Sequence, residues 1–163
     1  KNMLKAQYFI DYLGLEPHIE GGYCKELYKN RRWVEGRPLS STIYYLLKSG
    51  QVSRFHRLKS DELWLYHYGA PLLVHQLNAE GVLTTQTLGL GVEQGQRPQI
   101  TVPAHTIFGA EVAEPDSFCL VSCVVSPGFD YRDFELLSSE ELCRQFPQLQ
   151  DIIKRLGGVN DSV

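Results

Sequence analysis

Residues 50–69 read GQVSRFHRLKSDELWLYHYG and carry the strongest fold signal in this chain of 163 residues. Two extended runs flank a turn at Lys59-Ser60, and a glycine bounds each end of the stretch. His56 precedes the turn and Glu62 follows it, so pairing of the two strands places both side chains close together on one face. An imidazole and a carboxylate that converge in this way can ligate a metal or act as an acid–base pair.

The second strand of this stretch is rich in aromatic residues. Alternation predicts that Glu62, Trp64, Tyr66 and Tyr68 share one face, and that His67 points to the other. Aromatic rings beside a carboxylate are typical of a cavity that binds an organic ligand. We therefore predict that His56 and Glu62 face into a ligand-binding cavity.

The rest of the central region, residues 40–126, also has the texture of a β protein. Short runs rich in β-branched and aromatic residues recur about every ten residues between turn signals, which favours a sandwich or a barrel; they are STIYYLL, PLLVHQL, VLTTQTL, QITVP, TIFGAEV and SFCLVSCVVS. Short helices are predicted at the N-terminus, after Ser138 with Glu141 completing a capping box, and over residues 149–156. Helices that flank strands rather than alternate with them argue against a parallel α/β fold. We expect one domain over residues 1–163.

The bulk composition excludes several classes of protein. Apolar residues make up 43% of the chain, charged residues 21%, and the net charge is −3, so neither a nucleic-acid nor a membrane partner is expected. No apolar run approaches the ~18 residues that span a bilayer. The N-terminal residues lack the features of a secretory signal, so we expect a cytoplasmic protein. The four cysteines form no CxxC pair, and we interpret Cys119 and Cys123 as buried thiols.

The spacing of residues 50–69 resembles the first motif of the cupin superfamily, G-x5-H-x-H-x3-4-E-x6-G. Gly50, His56, Glu62 and Gly69 occupy their motif positions, but Leu58 replaces the second histidine. The second cupin motif is similar to QITVPAHTIFGAEV. There Phe108 stands where the last metal-binding histidine of the family belongs.

More narrowly, the chain resembles the Cupin 5 family over nearly its whole length. The shared phrases are LGLEPHIEGGYCKELY, STIYYLL, FHRLKSDELWLYHYGAPLLVH, GQRPQITVPA and SCVVSPGFDYRDFEL. The resemblance implies a mainly β fold, a double-stranded β-helix (cupin or jelly-roll barrel) with short N- and C-terminal helices. It also implies a homodimer, and it implies no established reaction.

The two altered motif positions bear on metal binding. A cupin metal site usually draws three histidines and one glutamate, and Leu58 and Phe108 remove two of the four ligands. Two ligands are too few for tight binding of Zn or Fe, so we expect no metal and no other cofactor. His75 could supply a further nitrogen if its strand faces the cavity. A metal-dependent cupin enzyme therefore remains an alternative.

The resemblance suggests acid–base chemistry instead. Sugar-nucleotide epimerases of the cupin fold work without metal, through a histidine base and a tyrosine acid. His56 would act as the base, Glu62 would orient it, and Tyr44, Tyr66 or Tyr131 would supply the acid. This predicts a barrel that binds a small polar metabolite, as an isomerase or epimerase acting on a carbohydrate-like substrate. A non-catalytic binding module is the alternative, in which His56 and Glu62 only order the pocket.

The remaining candidate residues lie outside the central motif. An N-terminal strand could cross to a partner subunit or form a rim of the pocket, which would place Glu20 and Tyr23 beside the ligand together with Trp64 and Phe108. His18 is interpreted as a surface or packing residue. The arginines of the 31–37 segment are interpreted as a solvated surface, and the alternative is that one of them binds a carboxylate or phosphate.

The PGFDYRDFELL run near the C-terminus is interpreted as a structural clasp. In this interpretation its aromatic rings pack on the sheet, and Asp130 and Asp133 bind loop backbone or Arg132. The functional alternative is a paired-carboxylate hydrolase site, which would need both carboxyl groups to converge across a cleft.

Overall fold

A computed structural model describes residues 4–157. Thirteen strands are described in this range. Their bounds are β1 Glu16–Pro17, β2 Tyr23–Lys29, β3 Trp33–Val34, β4 Arg37–Pro38, β5 Ser41–Lys48, β6 Val52–Arg57, β7 Asp61–Gly69, β8 Leu72–Leu77, β9 Leu83–Leu88, β10 Gln99–Val102, β11 Ile107–Val112, β12 Phe118–Ser126 and β13 Glu135–Leu136. Each run singled out in the sequence as a strand is found.

Two antiparallel sheets build the barrel. One has the strand order β1-β2-β5-β12-β7-β10 and the other β13-β6-β11-β8-β9, while β3 and β4 form a separate hairpin. Neighbours in the sheets are mostly distant in sequence, as expected of a jelly roll. Both sheets contribute to one interior core that includes Tyr45, Trp64, Leu72 and Phe108. The prediction of a mainly β cupin barrel is confirmed.

The three helices are α1 Ala6–Leu13, α2 Ser139–Gln145 and α3 Gln150–Leu156. Helix α1 packs on the outer face of the first sheet through Ile10 and ends at Gly14, whose φ is 65°. At the start of α2, the Ser138 side chain accepts a hydrogen bond from the backbone N–H of Glu141, as the capping box predicts. Helices α2 and α3 cover the outer face of the second sheet. No helix within residues 4–157 is long and apolar enough to cross a membrane.

A β-bulge interrupts the alternation along β7. Strand β12 pairs Val121 with Tyr66 and Leu120 with Tyr68, so His67 is an extra residue on β7. Tyr66 still packs against the interior core, but Tyr68 packs on the outer face against Phe118. The prediction that Tyr68 shares the face of Glu62 is wrong, because the inserted residue switches the faces of the strand.

Candidate functional site

A cavity of about 120 Å³ lies at the end of the barrel where β6 turns into β7. The turn places His56 and Glu62 on its wall, as the 50–69 motif predicts. Side chains from β2, β5, β6, β7 and β12 and from three loops line the cavity; they are His18, Glu20, Cys24, Glu26, Ser41, Ile43, His56, Leu58, Glu62, Cys123, Val125, Phe129, Tyr131 and Phe134.

Glu20 enters the cavity from the loop between β1 and β2. Gly21 follows it with a φ of 110°, and a Cβ atom there would lie 2.0 Å from the carbonyl oxygen of Val52. Only glycine therefore allows this close approach of the loop to β6. The backbone N–H of Arg54 donates to the carbonyl of Glu20 across 2.9 Å and fixes the loop further.

Glu20 and His56 form a buried ion pair. Their Oε2 and Nε2 atoms are 2.9 Å apart, and both side chains are nearly inaccessible to solvent. Burial alone would raise the pKa of Glu20, but His56 outweighs it and leaves that pKa lowered. Burial would likewise lower the pKa of His56, yet the Glu20 carboxylate raises it. The pair therefore consists of a carboxylate and an imidazolium.

The second nitrogen of His56 is also engaged. Nδ1 lies 2.6 Å from the carbonyl oxygen of Arg54, which can only accept a hydrogen bond, so Nδ1 carries a proton. With both nitrogens donating, His56 has no lone pair directed at the cavity. This arrangement differs from the predicted roles, because Glu20 rather than Glu62 orients His56.

Glu62 is the carboxyl group of the cavity that forms no ion pair with a residue of the described range 4–157. It is 6% exposed, and its Oε2 atom has no hydrogen-bond partner within residues 4–157. Burial raises the pKa of Glu62 from 4.5 to about 8, and the Glu20 carboxylate adds to the rise. His56 and the Cys123 thiol oppose it. Glu62 is therefore mainly protonated at neutral pH and still close to its titration midpoint.

His18 is a cavity residue that the sequence analysis assigned to the surface or to packing. Its Nδ1 accepts a hydrogen bond from the backbone N–H of Glu20 at 3.1 Å, so the proton of the neutral ring is on Nε2. Burial lowers the pKa of His18, which favours the same neutral form. The two glycines that follow Glu20 were the available signal that this loop folds back onto the barrel.

Apolar side chains fill the two altered cupin positions. Phe108 packs beneath His56 with the ring centroids 4.1 Å apart, and Leu58 lines the cavity wall. Within residues 4–157, no group of three or more His, Cys, Asp or Glu side chains is arranged to hold a metal ion. The residues present therefore do not fit the metal that the fold family usually carries.

Several predicted ligand-binding residues lie elsewhere. Tyr23 and Tyr44 pack on the outer face of the first sheet, because Cys24 and Ile43 take the inward positions of β2 and β5. The Tyr66 hydroxyl donates to the carbonyl of Gly69 at 2.5 Å, away from the cavity. The structure therefore places none of these three tyrosines on the cavity wall, where the sequence predicted them.

The other predicted side chains lie below the cavity, at its mouth or outside it. Trp64 is buried in the interior core beyond the cavity, and its ring meets that of Phe108 edge-on. Tyr131 lies at the mouth and is 63% exposed. His75 lies outside the cavity, where its Nδ1 is 2.7 Å from the Thr85 hydroxyl. It therefore cannot supply the third metal ligand.

The PGFDYRDFELL run forms a clasp beside the mouth. Both carboxylate oxygens of Asp133 accept hydrogen bonds from Arg37, at 2.8 and 2.9 Å. Asp130 binds the guanidinium and the backbone N–H of Arg132. Asp130 thus has the predicted partner, whereas Asp133 binds Arg37 and not loop backbone or Arg132. The clasp also places the ring centroid of Phe134 5.4 Å from that of His56.

Comparison with known proteins agrees with this architecture. The family model described as "Cupin superfamily (DUF985)" matches residues 7–137. The crystal structure of protein SO0799 from Shewanella oneidensis is 44% identical, covers 96% of this chain and 99% of its own, and superposes with a TM-score of 0.92. A hypothetical protein from Leishmania major is 39% identical, covers 94% and 98% of the two chains, and has a TM-score of 0.88.

More distant similarities extend the comparison. The uncharacterized protein YML079W of Saccharomyces cerevisiae is 28% identical over 83% of this chain and 76% of its own. Oxalate decarboxylase of Bacillus subtilis is 17% identical with a TM-score of 0.58; the match covers 88% of this chain and 38% of the enzyme, and it shows the fold alone. From the match over residues 7–137, this chain belongs to the cupin superfamily, in the family described as DUF985.

Proposed function

We propose that the cavity binds a small polar metabolite and that Glu62 transfers a proton on it without a metal, as in an isomerisation. One observation carries the proposal: Glu62 is a buried carboxyl group on a cavity wall, one of its oxygens has no hydrogen-bond partner among residues 4–157, and its pKa is about 8. A general acid or base is most effective when its pKa is near the working pH. Glu62 meets that condition, whereas both ring nitrogens of His56 are engaged, one by Glu20 and the other by the carbonyl of Arg54.

The proton transfer can be written for a substrate with a C–H bond next to a carbonyl group. The Glu62 carboxylate takes the proton, and the electron pair of the broken C–H bond delocalises onto the carbonyl oxygen. In an α-hydroxy carbonyl substrate, Glu62 then returns the proton to the former carbonyl carbon, while the proton of the α-hydroxyl group passes to the former carbonyl oxygen and the α carbon becomes the new carbonyl. The His56 cation, held by Glu20, favours the negative charge while it is present.

The size of the cavity limits what reacts inside it. Pockets for drug-sized ligands usually measure roughly 300–1,000 Å³, and a cavity of about 150 Å³ holds a molecule the size of benzene. A cavity of about 120 Å³ therefore encloses only a fragment of comparable size. A larger carbohydrate-like substrate would place its reacting end beside Glu62 and the remainder at the mouth, near Tyr131.

Exchange of substrate protons with solvent tests the proposal. The protein would be incubated in D2O with a panel of small aldoses, ketoses and hydroxy ketones, and deuterium incorporation would be followed by NMR. We expect incorporation that is lost in Glu62→Gln and kept in Glu26→Gln, which removes an exposed carboxyl at the same mouth.

The alternative is a binding module without turnover. Apolar wall residues such as Ile43, Leu58 and Val125 favour tight enclosure of a ligand in either case. Binding detected by thermal shift, with no deuterium incorporation for any bound compound, would contradict the catalytic proposal and support the module.

A further inference from the structure

We infer that His18 is the hydrogen-bond donor that holds the carbonyl oxygen of the substrate, through its Nε2–H group. The catalytic part of this inference rests on the proposed function, in which Glu62 takes a proton from the carbon next to that carbonyl group. Negative charge then forms on the carbonyl oxygen, and it is stabilised best by a donor that is already in place. The reaction at Glu62 leaves that donor unassigned.

The loop that carries His18 fixes the position of its proton. The backbone N–H of Glu20 donates to Nδ1 at 3.1 Å, so Nδ1 is the acceptor and the proton of the neutral ring lies on Nε2. Within residues 4–157, Nε2 has no hydrogen-bond partner. The side chain lines the cavity and is 11% exposed, so a ligand can reach it. His18 therefore offers one N–H donor to the occupant of the cavity.

The charge state of His18 suits this role. Burial lowers the pKa of His18, the Glu20 carboxylate opposes the fall and the His56 cation adds to it, so the ring is uncharged at neutral pH. Neutral imidazoles polarise substrate carbonyl groups in this way, with the proton staying on nitrogen. The hydrogen bond strengthens as the oxygen gains negative charge, because bonds to charged acceptors are the stronger ones.

The other possible donors of the wall are less suitable. Both ring nitrogens of His56 already have protein partners. Burial raises the pKa of Cys24 to about 11, so it remains a thiol, which is a weak donor. Tyr131 lies at the exposed mouth. The Ser41 hydroxyl oxygen accepts the N–H of Phe129 at 2.8 Å, and its own proton makes it the rival donor.

Contacts on both sides hold the His18 ring in place. The backbone N–H of His18 donates to the carbonyl of Gly22 at 2.9 Å, and the N–H of Gly21 donates to the carbonyl of His18 at 3.0 Å. The ring stands nearly perpendicular to those of Tyr45 and Phe134, with centroid distances of 6.2 and 6.4 Å. A donor fixed in this way needs no reorganisation when charge develops on the substrate.

Two substitutions separate the donor role from a purely structural one. In His18→Asn the new side-chain oxygen can take the place of Nδ1 and accept the N–H of Glu20, but nothing replaces Nε2–H. In His18→Gln an amide N–H reaches the place of Nε2, and the N–H of Glu20 loses its acceptor. If His18 only stabilised the loop, His18→Gln would be the more damaging change. The donor role predicts the opposite order.

Hydroxyacetone is the probe, because it is an α-hydroxy ketone small enough for a cavity of about 120 Å³. NMR in D2O would measure its affinity for the whole protein and its deuterium incorporation. We expect His18→Asn to lower the exchange rate at saturation about 100-fold or more, the usual loss when one donor to an oxyanion is removed. Binding should weaken about three- to tenfold, as for one neutral hydrogen bond. His18→Gln should keep most of both, and Glu26→Gln is the matched control at the mouth.

A second measurement needs no substitution. Nitrogen-15 NMR of histidine-labelled wild-type protein should show His18 as a neutral ring with its proton on Nε2. The Nε2–H resonance should shift when hydroxyacetone binds, because the carbonyl oxygen accepts from it. An unshifted resonance in the complex would overturn the inference.

The inference is also overturned if His18→Asn binds and exchanges hydroxyacetone as the wild type does, which would favour Ser41 as the donor. Greater losses in His18→Gln than in His18→Asn, or no binding of hydroxyacetone by the wild type, would overturn it as well. Failure of the proposed function looks different. The wild type would then bind hydroxyacetone without exchanging protons, and weaker binding by His18→Asn would still support His18 as the donor.

Discussion

Replacing Glu62 with glutamine should change how the stability of the protein depends on pH. The pKa of Glu62 is about 8 in the folded protein against 4.5 ordinarily, so the folded state holds this proton more tightly than the unfolded state does. Its contribution to the free energy of unfolding is therefore largest below pH 4.5 and falls as the pH rises towards 8. Glutamine keeps the shape of the neutral carboxyl and has no proton to lose.

The magnitude follows from the shift of pKa. A difference of 8 − 4.5 = 3.5 pKa units, at about 1.36 kcal/mol per unit, corresponds to roughly 5 kcal/mol over the full range. Between pH 5 and pH 8 the contribution of Glu62 to the free energy of unfolding should fall by about 3 to 4 kcal/mol. Over that interval the stability of Glu62→Gln should rise by this amount relative to the wild type.

Urea denaturation at pH 5, 6, 7 and 8 provides the assay, with Glu26→Gln as the control for loss of a carboxyl group. Differences between variants cancel the titration of the groups that do not interact with Glu62. If wild type and Glu62→Gln lose or gain stability in parallel over this range, the reasoning about Glu62 is refuted.

Three further predictions concern its neighbours. Glu20→Gln should lower the free energy of unfolding by about 3 to 5 kcal/mol, because it leaves the buried His56 cation without its partner. The titration midpoint of His56, followed by NMR, should move to lower pH, and an unchanged midpoint would contradict the pairing. Gly21→Ala should destabilise by more than Gly36→Ala in thermal unfolding, since both glycines have positive φ but only at Gly21 would a Cβ atom meet backbone; equal losses would show that the loop does not lie against β6. Protein purified without an affinity tag should contain Fe, Mn, Ni and Zn well below stoichiometric amounts by mass spectrometry, because Leu58 and Phe108 occupy ligand positions; one metal per chain would overturn this expectation.

The barrel was predictable because its signals are local. The spacing from Gly50 to Gly69 defines a strand, a turn and a second strand. This local unit brings His56 and Glu62 to one face, which forms part of the cavity wall. The capping box at Ser138 is likewise local.

The rest of the site depends on long-range pairing that periodicity does not encode. The β-bulge opposite Leu120 moved Tyr68 to the outer face, and the register of β5 gave the inward position to Ile43 rather than Tyr44. Glu20 contacts His56 because Gly21 lets the β1–β2 loop lie against β6. Glu20 therefore orients His56, a role that the sequence analysis had given to Glu62. The homodimer implied by the family resemblance stays a prediction.

The central claim is that Glu62 holds a proton at neutral pH and releases it just above. Carbon-13 NMR of the labelled side-chain carboxyl, titrated in the whole protein from pH 4 to pH 10 and assigned with Glu62→Gln, measures this directly. The structure predicts a midpoint near 8. A midpoint near 4.5, the ordinary value for a glutamate, would contradict it.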